Sequence, residues 1–243
     1  IALERNPKAD VLMVIDNSCS MSDEQLALAN NFTAVFDYAI ARQVDFHVAI
    51  TTTDNDSGAE KGRFVSGPAH PEAVLTPATV NLISKFKAKV QLGITGSGSE
   101  QTFAAAAQAV SAPLASGVNA GFLRDDASLG VMFMTDESEQ SAAPVRYYYD
   151  ALLAAKKGRR NQLSVSGLAG FFATPPSGCG ANTEDGRFAK MIALSTGTTE
   201  SICPTDWATA FHNVGQTIFG ERKTYFLTTN PSAAAATVSI NGT

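Results

Sequence analysis

Two apolar runs that are each followed by an aspartate constrain the fold of this 243-residue chain more than any other feature. Residues 11–15 are all apolar and end at Asp16, and residues 129–134 lead through Thr135 to Asp136. Short apolar runs of this kind are typical of strands that are buried on both faces of a parallel sheet. Because ligands collect at the carboxyl ends of parallel strands, we expect both aspartates to lie at one binding edge.

Amphipathic segments alternate with the predicted strands, which is the pattern of an α/β protein. Helical spacing of apolar residues follows the first strand, and the Ser-Asp-Glu-Gln sequence at residues 22–25 has the pattern of a capping box. The pattern predicts helices over residues 22–40, 79–87, 103–110, 144–155 and 205–219, and further strands over 46–50, 162–167 and 223–228. We therefore predict an α/β fold with a doubly wound, mostly parallel central sheet that is flanked by helices.

Composition limits the classes of function that the chain can have. A hydrophobic fraction of 44% excludes a disordered chain, and a net charge of −5 gives no electrostatic footprint for nucleic acid. No apolar run approaches the length of about 18 residues that a transmembrane helix needs. We expect one large domain over residues 1–229, followed over residues 230–243 by a linker and the first strand of a β-rich module.

The first aspartate opens a turn that is rich in hydroxyl groups. Asp16, Ser18 and Ser20 form a D-x-S-x-S pattern directly after the predicted strand and before the predicted helix. Alternate serines on a tight turn can direct two hydroxyls toward one point, with the carboxylate of Asp16 behind them. Hard oxygen ligands of this kind suit Mg²⁺, and also Ca²⁺ or Mn²⁺. A turn whose hydroxyls only cap a helix is the alternative.

These motifs resemble those of a von Willebrand factor A domain with a metal-ion-dependent adhesion site. Residues 14–22 (Val-Ile-Asp-Asn-Ser-Cys-Ser-Met-Ser), 51–54 (Thr-Thr-Thr-Asp) and 119–124 (Asn-Ala-Gly-Phe-Leu-Arg) are similar to those of exported bacterial members, often lipoproteins or surface proteins. The resemblance covers about residues 8 to 229. It implies that a threonine from a second loop and an aspartate after a later strand complete the metal site.

The resemblance places Asp136 at the position of the later aspartate. Ser97 falls at the position of the threonine, with Ser99 as a near-equivalent candidate, so a serine stands where threonine is usual. Glu100 could instead enter the ligand set, which would reduce the affinity of the metal for a ligand carboxylate. Asp54 follows another predicted strand and either faces the same cleft or is a solvated turn residue.

The three cysteines bear on the compartment of the protein. Because Cys19 lies within the D-x-S-x-S turn, Cys179 and Cys203 form the natural pair, and both lie in turn-rich segments. A disulfide between them favours an oxidising compartment, whereas two free thiols would suit the cytosol. The pair therefore favours an exported protein that is located at the cell surface, associated with the outer membrane, or secreted or periplasmic. Because the chain begins at Ile1 rather than Met, we expect a processed or engineered fragment whose export signal is missing.

Binding is a better hypothesis than catalysis for this chain. The sequence contains no G-x-S-x-G elbow, Walker loop or dinucleotide fingerprint, and the proposed metal site has no recognisable general base. The resemblance implies an ion that captures an acidic side chain of a protein partner or another surface macromolecule. A scaffold domain whose metal only stabilises the fold is the alternative.

Overall fold

A computed structural model describes residues 7–55, 61–171, 174, 176–181 and 186–219. The described strands are β1 (Lys8–Ile15), β2 (Asp45–Thr52), β3 (Val74–Leu75), β4 (Ser128–Met134), β5 (Leu163–Ala169) and β6 (Thr199–Ser201). The described helices are α1 (Ser22–Asn30), α2 (Phe32–Ala41), α3 (Leu82–Val90), α4 (Thr102–Ala109), α5 (Val145–Ala155), α6 (Arg187–Ala193) and α7 (Trp207–Phe219). Among the described residues, no helix combines the length and apolarity that a membrane crossing needs.

The strands form one sheet in the order β3-β2-β1-β4-β5-β6, in which only β3 runs antiparallel to its neighbour. The last residue of β1, Ile15, pairs with Thr52 of β2 and with Met134 of β4. These three central strands therefore end level with one another. The strand order reverses at β1, so the loops that leave β1 and β4 diverge there and open a crevice.

Helices bury both faces of this sheet, which confirms the predicted α/β architecture. One core cluster contains Val11, Met13 and Ile15 of β1 together with residues of α1, α2, α3 and α7. The other contains Leu12 and Val14 with residues of α4, α5 and α6. Successive β1 side chains thus enter opposite cores, and this explains why the strand is a continuous apolar run rather than an alternating one.

The first predicted helix is two helices in the structure. α1 ends at Asn30, and the backbone N–H of Asn31 donates to the carbonyls of Ala27 and Leu28 while its side chain donates to Ala27 O at 2.8 Å. The backbone bond to Ala27 is an ordinary helical one, but the bond to Leu28 and the side-chain bond compete with continuation of the helix. The predicted capping box does not form either, because Met21 occupies the N-cap without a side-chain bond.

Other predicted elements differ at their ends or lie outside the described residues. α3 begins at Leu82 rather than near residue 79, because Asn81 adopts a left-handed conformation with φ of 56°. The short elements β3, α6 and β6 are not predicted from the sequence pattern. The strand predicted over residues 223–228 and the linker and β-rich module predicted over 230–243 lie outside the described residues, so the domain bounds stay a prediction.

Residues 119–124 have a structural role, because their side chains link separate segments of the chain. Asn119 donates to the carbonyls of Gly62 and Ala109 at 2.8 and 2.9 Å, and Arg124 forms an ion pair with buried Asp10 at 2.8 Å. Arg124 also pairs with Asp45 at 2.8 Å. These contacts bind the amino ends of β1 and β2 to the chain before β4, and a buried carboxylate requires such partners.

Cys179 and Cys203 form the predicted disulfide, with their Cα atoms 5.9 Å apart. The bond links the segment after β5 to the segment after β6 and packs against the first core cluster. Cys19 is a free, exposed thiol. The disulfide supports the predicted oxidising compartment.

Candidate functional site

The turn after β1 is anchored at its first residue. The backbone N–H of Asp16 donates to Met134 O of β4 at 2.9 Å, and its carboxylate is buried. Oδ1 of Asp16 accepts the backbone N–H of Ser18 at 2.7 Å, and Oδ2 accepts the hydroxyl of Thr135 at 2.6 Å. The carboxylate therefore joins the ends of β1 and β4 at the crevice.

The two serines of the turn present their hydroxyls together. Ser18 Oγ and Ser20 Oγ lie 3.3 Å apart. Adjacent ligands on an octahedral ion are separated by about 3.0 Å for Mg²⁺ and about 3.4 Å for Ca²⁺, given metal–oxygen bonds of about 2.1 and 2.4 Å. The observed separation fits two hydroxyls that share one cation.

Gln25 holds this turn against a second loop. Its side-chain amide donates to Asp16 O and to Gly93 O, each at 2.9 Å. Within the pattern that predicted a capping box, Gln25 thus fixes the site instead of the helix end. The second contact is a bond of 2.9 Å from Gly96 N to Asn17 O.

The loop of residues 93–99 therefore lies beside the turn, as predicted, but the hydroxyl of Ser97 is engaged within its own loop. Ser97 Oγ accepts the backbone N–H of Ser99 at 3.0 Å, and the backbone N–H of Ser97 donates to Asp54 Oδ2 at 3.4 Å. Asp54 is accordingly part of the crevice, where it orients this loop.

Glu100 is fully buried beside this loop. Its Oε2 accepts the hydroxyl of Thr53, whereas its Oε1 has no hydrogen-bond partner. Burial and, after it, the negative charges of Asp16, Glu137 and Asp136 together raise the pKa of Glu100 to about 8. Glu100 thus belongs to the same electrostatic cluster as the two aspartates.

Several other buried oxygens of this region lack a hydrogen-bond partner. They are Asn17 Oδ1, Glu24 Oε2, Asp54 Oδ1, Thr102 Oγ1 and Asp136 Oδ1. Buried polar atoms are usually hydrogen-bonded. We therefore expect a hydrogen-bond donor or a cation to bind where several buried oxygens without partners occur in one region. The sequence pattern did not identify Glu24 or Thr102, since both stand in helical first turns where such residues are common.

Burial and the charges of neighbouring carboxylates both raise pKa values in this region. Burial raises the pKa of Asp16 and outweighs the hydrogen bonds from Thr135 and Ser18, and the charge of Asp136 raises it further. Burial raises the pKa of Glu24 too, and Asp136 adds to this effect. A cation placed among them would lower both pKa values and so oppose these effects.

The chemistry of the donor set fits a hard divalent cation, provided that hydroxyls take part. Among the residues that the structure describes, no three or more His, Cys, Asp or Glu side chains are grouped so that they could hold a metal ion by themselves. Two aspartates and two serines supply only oxygen atoms, which Mg²⁺, Ca²⁺ and Mn²⁺ prefer. The site therefore fits a cation bound jointly by carboxylates and hydroxyls.

Two further acidic residues differ in role. Glu139 is buried, but its carboxylate pairs with Arg187 Nε at 2.8 Å and accepts the backbone N–H of Phe103 at 3.2 Å. It therefore fixes the start of α4 to α6. Glu137 is only partly buried, and its backbone N–H donates to the Thr135 hydroxyl at 3.0 Å.

Solved structures with a similar fold belong to adhesion and matrix proteins. Proximal thread matrix protein 1 from the mussel byssus matches with a TM-score of 0.53 and 14% identity over 87% of this chain and 48% of its own. The pilus adhesin SpaC from Lactobacillus rhamnosus GG, in an open conformation, matches with a TM-score of 0.52 and 11% identity over 89% of this chain and 30% of its own. No protein-family model matches the chain, and no curated protein matches it.

The chain thus spans less than half the length of these proteins, and identity at this level shows the fold alone. That fold is the α/β type of von Willebrand factor A domains, as the sequence motifs predicted.

Proposed function

We propose that this chain is an exported adhesion or protein-interaction module that captures a carboxylate of its partner through a divalent cation. The proposed ligands are Asp16, Ser18, Ser20 and Asp136, with a further oxygen from the loop of residues 97–100. The cation is Mg²⁺, or Ca²⁺ or Mn²⁺ in its place. Adhesion and matrix proteins of the same fold and the disulfide support this proposal.

Two observations at the carboxyl ends of β1 and β4 support the proposal: a buried carboxylate oxygen has no hydrogen-bond partner, and two serine hydroxyls lie close together. Asp136 Oδ1 is buried without a partner, and the hydroxyls of Ser18 and Ser20 lie 3.3 Å apart. A bound cation would supply an electron-poor centre to which an external carboxylate can be added. The residues of this chain would hold the cation, and the neutral hydroxyls would add no negative charge to that of the two aspartates.

A structural role for the same cation is the second candidate. The backbone and the carboxylate of Asp16 join β1 to β4, so a cation here would also stabilise the centre of the sheet. In that case the domain would be a scaffold within a larger surface assembly, and an external carboxylate would not bind.

Titration calorimetry with Mg²⁺ and Mn²⁺ on the wild type and on Asp16→Ala tests the site. We expect the variant to lose metal binding by at least a hundredfold in affinity, because Asp16 supplies a buried carboxylate to the proposed ligand set. Asp23→Asn is the matched control, since Asp23 is exposed in the first turn of α1. It should bind metal almost as the wild type does.

Acetate separates the two candidates. The methyl proton signal of acetate should broaden when the Mn²⁺-loaded wild type is added, because the carboxylate would lie next to the paramagnetic ion. Mg²⁺-loaded protein should give no broadening. If Mn²⁺ binds and raises the melting temperature but acetate does not broaden, the scaffold function replaces carboxylate capture. If neither metal binds to the wild type, both candidates are wrong.

A further inference from the structure

We infer that a groove beside α4 is a second interaction site of this chain, which binds an acidic peptide segment of a protein partner. The groove has a volume of about 750 Å³ and is open to solvent. It is bordered by the segment 61–63, by α4 and by the start of α5. None of the proposed cation ligands lines it, so this inference does not depend on the proposed function.

Two cationic side chains form part of the lining of the groove. Lys61 and Arg63 are both exposed there. Within the described part of the chain neither side chain forms an ion pair, and none of the described residues that line the groove is acidic. Elsewhere on the surface, Lys8, Lys157 and Arg146 each pair with an aspartate. The groove therefore presents two positive charges that the described residues do not compensate.

The turn that carries these two cations is fixed against α4. Lys61 and Gly62 have positive φ angles of 36° and 81°, which residues other than glycine seldom adopt. A Cβ on Gly62 would lie only 2.7 Å from Ala105 O and 2.8 Å from Ala109 N of α4. The carbonyl of Gly62 also accepts an amide N–H of Asn119 at 2.8 Å. The cations are thus held beside the helix by a strained turn, and such strain is often retained at functional sites.

The rest of the lining suits a peptide. Ala104 and Ala107 of α4 line the groove, and their small side chains would let a peptide backbone approach the helix closely. Gln108 of the same helix is exposed and offers an amide to backbone groups. Tyr147 of α5 is 65% exposed, and its ring lies edge-to-face against Tyr148 at 5.2 Å. Aromatic residues of this kind are enriched at protein interfaces.

The distribution of charge favours a short acidic segment over a polyanion. The chain as a whole carries a net charge of −5, so the surrounding surface would repel a nucleic acid or a sulfated polysaccharide. One or two carboxylates could instead pair with Lys61 and Arg63, and the guanidinium of Arg63 can bind a carboxylate through two parallel hydrogen bonds. Apolar side chains of the same segment could pack against Tyr147. We therefore expect a recognised segment in which acidic residues lie next to apolar ones.

Selection from a library of random displayed peptides on the immobilised wild type tests the inference. The buffer contains EDTA, which removes divalent cations and so excludes capture through the proposed cation site. We expect the selected sequences to be rich in Asp and Glu. Synthetic copies of them should bind Lys61→Ala/Arg63→Ala about tenfold or more weakly, because their carboxylates lose charged hydrogen-bond partners. Tyr147→Ala should weaken binding by about threefold or more. All three replaced side chains are exposed, so the variants should melt as the wild type does.

Arg42→Ala/Lys190→Ala is the matched control, because it removes one exposed arginine and one exposed lysine that do not line the groove. It should bind the selected peptides as the wild type does. Equal losses in the two double variants would overturn the inference, since only the net charge would then matter. Selected sequences without an excess of acidic residues would overturn it too. Heparin that binds the wild type but not Lys61→Ala/Arg63→Ala, while no acidic peptide is selected, would replace the peptide with a sulfated polysaccharide. None of these results bears on the proposed function, because EDTA removes its cation.

Discussion

Gly96 and Asn17 hold the two loops of the site together through a contact that leaves no room for another atom. A Cβ on Gly96 would lie 2.4 Å from Asn17 Cγ, well inside van der Waals contact. Asn17 is itself buried within the D-x-S-x-S turn. The spacing of the proposed ligands therefore depends on a glycine at a position where the sequence alone shows only a flexible Gly/Ser loop.

We expect Gly96→Ala to lower the free energy of unfolding by about 1–3 kcal/mol, since the added methyl group must displace the Asn17 side chain. The same displacement should weaken Mn²⁺ binding, because it moves Ser18. Urea denaturation and calorimetry measure the two effects. Gly98→Ala is the control, as nothing lies within 4 Å of its Cβ position. If the two alanine variants behave alike, the contact does not set the geometry of the site.

The proposed site residues gave a clear signal where that signal was local in sequence. Asp16, Ser18 and Ser20 form one short pattern after an apolar strand, and the structure brings their oxygens to one edge. The assignment of Ser97 depended instead on the path of a loop. In the structure its hydroxyl accepts the backbone N–H of Ser99, and the carbonyl of the nearby Glu100 accepts an N–H from Gln140, far along the chain. The role of Ser97 as a ligand stays a prediction.

Whole helices and strands, too, were predictable only where the sequence carried a local signal for them. The central strands β1 and β4 were evident because complete burial on both faces requires an unbroken apolar run. The break at Asn31 was not evident, because the apolar spacing continues through it into α2. The edge strands β3 and β6 are defined by pairing with β2 and β5, and two or three residues carry too little pattern to reveal them.

The helix α3 carries a charge into the protein interior. Lys89 is almost fully buried, and its ammonium group donates to the backbone carbonyl of Val65. Burial lowers the pKa of Lys89 to about 8, only partly opposed by the charge of Glu72. The ordinary value of 10.5 applies when the chain unfolds. Between these values the folded protein binds fewer protons than the unfolded chain.

Stability should therefore rise as the pH increases from about 8 to 10.5, and the contribution of Lys89 should stay at its lowest level below pH 8. Urea denaturation of the wild type and of Lys89→Met in the same buffers measures this. The difference between the two proteins should change in favour of the wild type across the window, by up to about 3 kcal/mol. Parallel curves would show that Lys89 is not the titrating group.

At the scale of the whole molecule, the amino and carboxyl ends of the central strands differ in how their buried charges are compensated. The ion pairs of Arg124 with Asp10 and Asp45 compensate buried charge at the amino ends of β1 and β2. At the carboxyl ends, Glu139 pairs with Arg187, whereas Asp16, Glu100 and Asp136 form no ion pair with a lysine or arginine among the described residues. A fold that neutralises one edge and leaves the other acidic is stable enough to retain an unsatisfied site, which is typical of functional regions.

The disulfide contributes to that stability by closing a loop across the weaker half of the sheet. Cys179 and Cys203 are separated by 24 residues, and the enclosed segment includes α6 and the edge strand β6. A cross-link that closes a loop of this length restricts the unfolded chain and is worth roughly 3.5 kcal/mol. Because β6 forms only a short pairing with β5, we expect the edge of the sheet to depend on this bond.

The double variant Cys179→Ser/Cys203→Ser should accordingly lose about 3 kcal/mol of unfolding free energy in urea, and reduction of the wild type should produce the same loss. Mn²⁺ affinity should stay within about threefold of the wild type, since the proposed ligands follow β1 and β4 at the centre of the sheet. Alkylation of the denatured wild type without reductant should label Cys19 alone, which intact mass measures as one adduct. Three adducts would mean that the thiols are free, and the argument for an oxidising compartment would fail. A large loss of metal affinity in the double variant would instead show that the edge and the centre of the sheet are coupled.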